Sequence, residues 1–100
     1  MAQKTIVYWR DIPAQVLIRA GRRTARRELP LRFIEAIDRC AMRVGARDSD
    51  AYLEQWRRGE AEPVGDDLEQ EAETALAALD SQYPPERLKT LIGSEGYEHD

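Results

Sequence analysis

The feature that most restricts the fold is a run of alternating side chains between Lys4 and Glu28, broken twice by turn-forming residues. In the segment KTIVYWR, residues 4–10, Thr5, Val7 and Trp9 fall on one side and Ile6, Tyr8 and Arg10 on the other. That is the two-residue period of a strand. Both sides carry bulk, so this strand is expected at the centre of a sheet, with one face under helices and the other partly wet. Asp11-Ile12-Pro13 is expected to turn the chain, because Pro13 fixes its own φ and steers Ile12 away from helical geometry. Residues 14–20 read as a second strand, with Val16 and Ile18 on one face and Gln15, Leu17 and Arg19 on the other. Gly21 permits a tight reversal. Residues 23–29 then read as a weaker outer strand, whose charges discourage edge-to-edge pairing.

Beyond Pro30 the period changes. Phe33, Ile34, Ile37, Cys40, Ala41 and Val44 recur at three- and four-residue steps, and the spacing predicts an amphipathic helix ended by Gly45. A second, short helix is expected after a cap at Asp48 or Ser49, with Tyr52, Leu53 and Trp56 inward and Arg57 and Arg58 at its end. Residues 60–65, with Pro63, read as a linker. Asp66-Asp67-Leu68-Glu69 has the spacing of a capping box, opening a third helix to about Ser81 with Leu68, Ala72, Ala75, Leu76 and Leu79 in a stripe. Pro84-Pro85 starts a last helix with Leu88, Leu91 and Ile92 inward. The expected fold is α+β: a small antiparallel meander of about three strands, followed by helices packed on one face. Residues 1–93 are expected to form one domain and 94–100 a flexible acidic tail.

Charge divides the chain. Residues 1–60 hold 13 Lys/Arg against 8 Asp/Glu, while residues 61–100 hold 2 against 11, giving balances of +5 and −9 and a net charge of −4. The two parts can attract each other within one fold or between copies, and either can be read by a partner. No apolar run approaches the roughly 20 residues of a membrane span, and the first residues lack the features of a secretory signal. A cytoplasmic protein is expected. The single cysteine, Cys40, can form neither an internal disulfide nor a metal cluster.

Machinery for catalysis is sparse in the sequence. The one histidine, His99, lies in the expected tail. Cys40 falls on an apolar helix face, where a thiol behaves as a small hydrophobe. Asp66, Asp67, Glu69, Glu71 and Glu73 follow helical spacing rather than a calcium-loop pattern. A non-enzymatic role without cofactor or metal is expected. Two clusters stand out for binding. Tyr8, Trp9 and Arg10 put aromatic rings and a guanidinium at a strand end, suited to a planar or anionic group or to a protein interface. The plain alternative is that Trp9 fills the core while Arg10 and Asp11 pair in the turn. Arg19, Arg22, Arg23, Arg26 and Arg27 surround a hairpin tip and its outgoing strand, where forked guanidinium groups can clamp carboxylates or phosphates. Trp56 and Arg57 are expected nearby. Nucleic acid is the less favoured ligand, since the sequence pI is near 5.1 and no aromatic platform interleaves the arginines.

The stretches TIVYWRDIPAQV and AIDRCAMRVGARDSDAYLEQWRRG, with the basic run between them, resemble a small bacterial family called "virulence factor". The resemblance is strongest over residues 4–59. It implies a stand-alone protein of this length, or a domain appended to a larger chain. It also implies an association with corrinoid- and folate-dependent methyltransferase components of one-carbon metabolism, as an accessory subunit. It carries over no catalytic residues and implies neither toxicity nor secretion. Taken together, the chain is expected to dock on a larger protein through Tyr8, Trp9, Arg10, Arg22, Arg23, Arg26 and Arg27, with Trp56 and Arg57 beside them. A nucleic-acid-binding regulator and a binder of a small anion are the alternatives, and self-association through the two charged portions is a further expectation.

Overall fold

The computed structural model describes residues 2–45 and 50–98. The expected cap at Asp48 or Ser49, and His99, lie outside them. Strands β1 (Ala2–Trp9), β2 (Ile12–Ala20) and β3 (Arg23–Glu28) form an antiparallel meander. Both reversals are two-residue turns: Trp9 pairs with Ile12 across Arg10-Asp11, and Ala20 pairs with Arg23 across Gly21-Arg22. Turns of this length match the twist of the strands when the first central residue has positive φ. Gly21 takes φ 62 without steric cost, whereas Arg10 holds φ 54 against its own Cβ.

The first reversal therefore sits at Arg10-Asp11 rather than at Asp11–Pro13, and Ile12 and Pro13 belong to β2. Proline is accommodated because the register slips beside it. Val7 faces Gln15 while Tyr8 faces Pro13, which leaves Ala14 as the extra residue of a bulge.

Two further strands complete a five-stranded sheet, where the sequence suggested about three. β4 (Trp56–Arg58) pairs with Val7–Trp9, and β5 (Glu62–Val64) pairs with Ala2–Lys4, both along the free edge of β1. The second helix, α2 (Asp50–Glu54), accordingly stops before Trp56, and the expected linker carries a strand. The cause is tertiary. The edge of β1 offers backbone groups that need partners, down to the Gly59 N–H donated to the Ile6 carbonyl at 2.8 Å. A five-residue helix has little cooperative stability with which to compete.

The other helices are α1 (Leu31–Arg43), α3 (Leu68–Gln82) and α4 (Pro85–Gly93). Helix α3 crosses β2 and β3, while α1 packs on β2 and α4. The cap of α3 is Asp67 rather than Asp66, its carboxylate accepting the Gln70 N–H at 3.2 Å. Helix α1 buries Phe33, Ala36, Ile37, Cys40 and Ala41 but leaves Ile34 exposed. These side chains join Val16, Ile18, Ala25, Leu79, Leu88 and Leu91 in one core on one side of the sheet. Burying a side chain such as Ile18 or Phe33 contributes about 1.5–3 kcal/mol. The class is thus α+β, with β1 central.

Residues 94–98 do not form the expected tail. The Asp11 N–H donates to the Gly96 carbonyl at 2.8 Å, and the Glu98 N–H donates to Asp11 Oδ2 at 2.6 Å. Arg10 Nη1 donates to the Glu95 carbonyl at 2.6 Å. The segment after α4 is folded back and tied to the β1–β2 turn.

Candidate docking surface

Strand register sorts the sheet into two faces. Ile6 lies opposite Val16, and Val16 opposite Arg27; Ile18 lies opposite Ala25. This is the face under α3. On the other face Thr5 lies opposite Leu17 and Leu17 opposite Arg26, while Arg19 lies opposite both Gln3 and Thr24. Val7 lies opposite Gln15 and Arg58. Side chains in such rows stand roughly 4.8 Å apart. Leu17 is only 5 % exposed yet stands outside the helix-side core. At one end of this face Tyr52 of α2 packs on Trp9 and Trp56. The remainder, the helix-free face, is a shallow apolar centre of Leu17, Thr5 and Val7, fringed by Arg19, Arg26 and Arg58.

Arg22 stands in the β2–β3 turn at the end of this fringe, and Arg23, opposite Ala20, lies on the α3 side of the sheet. Arg19, Arg22, Arg23, Arg26 and Arg58 are exposed. Among the described residues no side-chain hydrogen bond or ion pair engages any of these five guanidinium groups. That is the central observation about this surface. Elsewhere three cations of the basic first part pair with carboxylates of the acidic second part. Lys4 pairs with Glu62 at 3.3 Å, Arg32 with Asp80 at 2.7 Å, and Arg27 with Glu73 at 2.6 Å and with Glu69.

Several residues expected in the binding edge are occupied by the fold itself. Trp9 is fully buried, and its indole N–H donates to the Tyr52 carbonyl at 2.9 Å. It is a core residue and cannot touch a partner. Arg10 lies between the Trp9 and Tyr97 rings, 5.2 and 4.8 Å from their centroids. These two positions leave the small-anion expectation without the residues it named. Arg27 fastens β3 to α3, and its hydrogen bonds to Glu73 and Glu69 raise its already high pKa. Arg57 lies 4.5 Å from the Tyr8 ring centroid and pairs with Asp11 at 2.9 Å. Trp56 is half-buried against the edge of the Tyr52 ring. Of the expected residues, Arg22, Arg23 and Arg26 are exposed and without a side-chain partner among the described residues, while Tyr8 and Arg57 line a cleft.

A polar cleft of about 360 Å³ opens beside Tyr8, between Arg57 and Arg87. Both its cations are paired, Arg57 with Asp11 and Arg87, 4.0 Å from the Tyr83 ring centroid, with Glu98, and Glu60 adds a third carboxylate. Burial pushes the Tyr83 hydroxyl above its ordinary pKa. Burial likewise pushes the Cys40 thiol up, against the opposing pull of Arg10, which keeps it protonated and unreactive at neutral pH. Among the described residues no group of three or more His, Cys, Asp or Glu side chains is placed to hold a metal ion. No helix of the described residues is long and apolar enough to cross a membrane.

Arg58 joins this surface only through β4, a stretch whose sequence reads as the end of a helix. The alternation that sets Gln15, Leu17 and Arg19 on one face of the second strand is legible in the sequence. A family model described as "Virulence factor" matches residues 7–92. No curated protein and no solved structure matches the chain.

Proposed function

Because the chain belongs to the virulence factor family, whose description names no chemistry, we propose its role from the surface: it is a non-catalytic accessory domain that docks on an acidic patch of a larger protein. The observation that carries this is a set of five exposed arginines without acidic partners among the described residues: Arg19, Arg26 and Arg58 on the helix-free face, and Arg22 and Arg23 at its hairpin end. Among the described residues the fold supplies carboxylates to Lys4, Arg27, Arg32, Arg57 and Arg87 and none to these. An isolated guanidinium in water costs little, but the four gathered about the β2–β3 hairpin repel one another, and a carboxylate-bearing surface relieves that repulsion. Leu17, Thr5 and Val7 add an apolar centre inside the charged rim, the ordinary layout of a protein interface. The resemblance described above makes a methyl-transfer enzyme the first partner class to test.

The test is capture from the native host, comparing the intact chain with Arg19→Ser, Arg22→Ser, Arg23→Ser and Arg26→Ser combined. Arg27 is left in place because it holds the fold together. The partner is expected to be lost with the variant and to elute from the intact chain as salt rises. A partner retained by the variant defeats the reading. Tight low-salt binding to duplex or single-stranded nucleic acid, lost with the same variant, would instead assign the arginines to phosphates.

A further inference from the structure

The edge of the sheet beside these arginines has a structure that specifies how a partner would be held. In an antiparallel ladder, residues alternate between exchanging hydrogen bonds with the neighbouring strand and pointing those groups away. The Leu29 N–H donates to the Ala14 carbonyl at 3.1 Å. Stepping along the register from that bond makes Val16–Arg27, Ile18–Ala25 and Ala20–Arg23 the hydrogen-bonded pairs. The two-residue turn at Gly21-Arg22 demands the same assignment of Ala20–Arg23. Thr24, Arg26 and Glu28 therefore aim their N–H and C=O groups outward from β3.

That outer edge is the free one. The opposite border of β1 is covered by β4 and β5, whereas among the described residues β3 pairs only with β2. One outward group has a local partner: Arg27 Nη1 donates to the Arg26 carbonyl at 2.8 Å. A carbonyl has a second lone pair, so this bond does not close the site.

We propose that β3 receives an extended acidic segment of the partner as an added strand, a mode that rests on the docking reading above. Charge selects the occupant. A second copy pairing antiparallel through its own β3 sets Arg26 against Arg26, or Arg23 against Arg27, in two registers; in a third Arg26 meets Glu28 but Arg27 meets Arg27, and like charges directly opposite are unfavourable. An acidic residue across from Arg26 on the helix-free face meets a cation with no competitor. On the helix side, Glu69 and Glu73 already satisfy Arg27 and repel a further carboxylate. The favoured segment thus alternates, with an acid facing Arg26, a small or apolar residue beside Ala25, and no acid facing Glu28. Backbone bonds supply affinity and the alternate side chains supply selectivity.

The probe is a capped peptide, Thr-Lys-Val-Glu-Val-Glu-Thr, compared with the same peptide N-methylated at both Glu residues. N-methylation keeps the charge and removes the strand's donors. Binding by the intact chain at low salt is followed by amide hydrogen exchange. The unmodified peptide is expected to slow exchange at Thr24, Arg26 and Glu28, leaving Ala25 and Arg27 unchanged, and to bind about tenfold more tightly than the methylated one. Equal binding of the two overturns strand addition while leaving arginine-directed docking intact. No binding of either at millimolar peptide also overturns it, and the arginine-to-serine capture then judges the docking reading alone. A peptide-independent dimer with the same amides protected overturns it by giving the edge to a second copy.

Discussion

The guanidinium of Arg10 sits 4.8 Å from the Tyr97 ring centroid, and Tyr97 comes from the far end of the chain. With Trp9 on its other side, Arg10 joins the first hairpin to the segment after α4. Gly96 completes the join. It has φ 88, and a Cβ there would approach Arg10 Cδ to 3.0 Å and Cys40 Sγ to 3.1 Å. Substituting Gly96→Ala is expected to destabilise the protein by about 1–2 kcal/mol in urea unfolding, from the left-handed backbone and the clash together. Arg10→Ala is expected to cost about 1–2 kcal/mol, as the Glu95 hydrogen bond and the ring contacts are lost. Wild-type stability in both variants would show that the segment is not tied down.

Arg26 and Arg27 are adjacent in sequence and opposite in role. Arg27→Ala is expected to lower the urea midpoint, with an effect that shrinks in high salt as the Glu69 and Glu73 pairs are screened. Arg26→Ala should leave the midpoint within about 0.5 kcal/mol of wild type while weakening partner capture. Matching stability losses in the two variants would contradict the division.

Trp9 belongs to the core, so Trp9→Ala is expected to cost about 3–5 kcal/mol and to leave the chain near its unfolding threshold. Trp9→Phe keeps much of the volume but strands the Tyr52 carbonyl, for a loss of about 1–3 kcal/mol. Equilibrium unfolding measures both. A stable Trp9→Ala protein with impaired binding would return Trp9 to the interface.

Stability is expected to fall at alkaline pH. Burial raises the pKa of both Cys40 and Tyr83 in the folded chain. The unfolded chain releases those protons first, so the folded state binds more protons over the interval between the two pKa values. Their contribution is fully present below the unfolded values, about 8.5 for Cys and 10 for Tyr. It is lost as pH climbs through the folded ones. Urea midpoints from pH 7 to 11 check the sign, and Cys40→Ala should flatten the lower part of the decline. A rise in stability across this range would contradict the burial of both groups.

Local pattern was enough for the elements that carry their own signal. The alternation around Val16 and Ile18, the reversal at Gly21 and the helical period from Phe33 to Ala41 each depend on residues close in sequence, where backbone geometry and side-chain period agree. That determined an α+β chain with a central first strand, one helix-covered face and arginines about the second hairpin. It did not determine which arginines are free. Arg26 and Arg27 read alike until the register and the position of α3 place Glu69 and Glu73 beside one of them. Trp56 and Arg57 read as helix because the partner that makes them a strand is the edge of β1, some fifty residues earlier. The residues after Gly93 read as a tail because their contacts are with Arg10 and Asp11 at the other end of the chain. Tertiary structure decided these points, because pairing a backbone edge and neutralising a charge are satisfied by whatever the fold brings near. Sequence distance does not enter that choice.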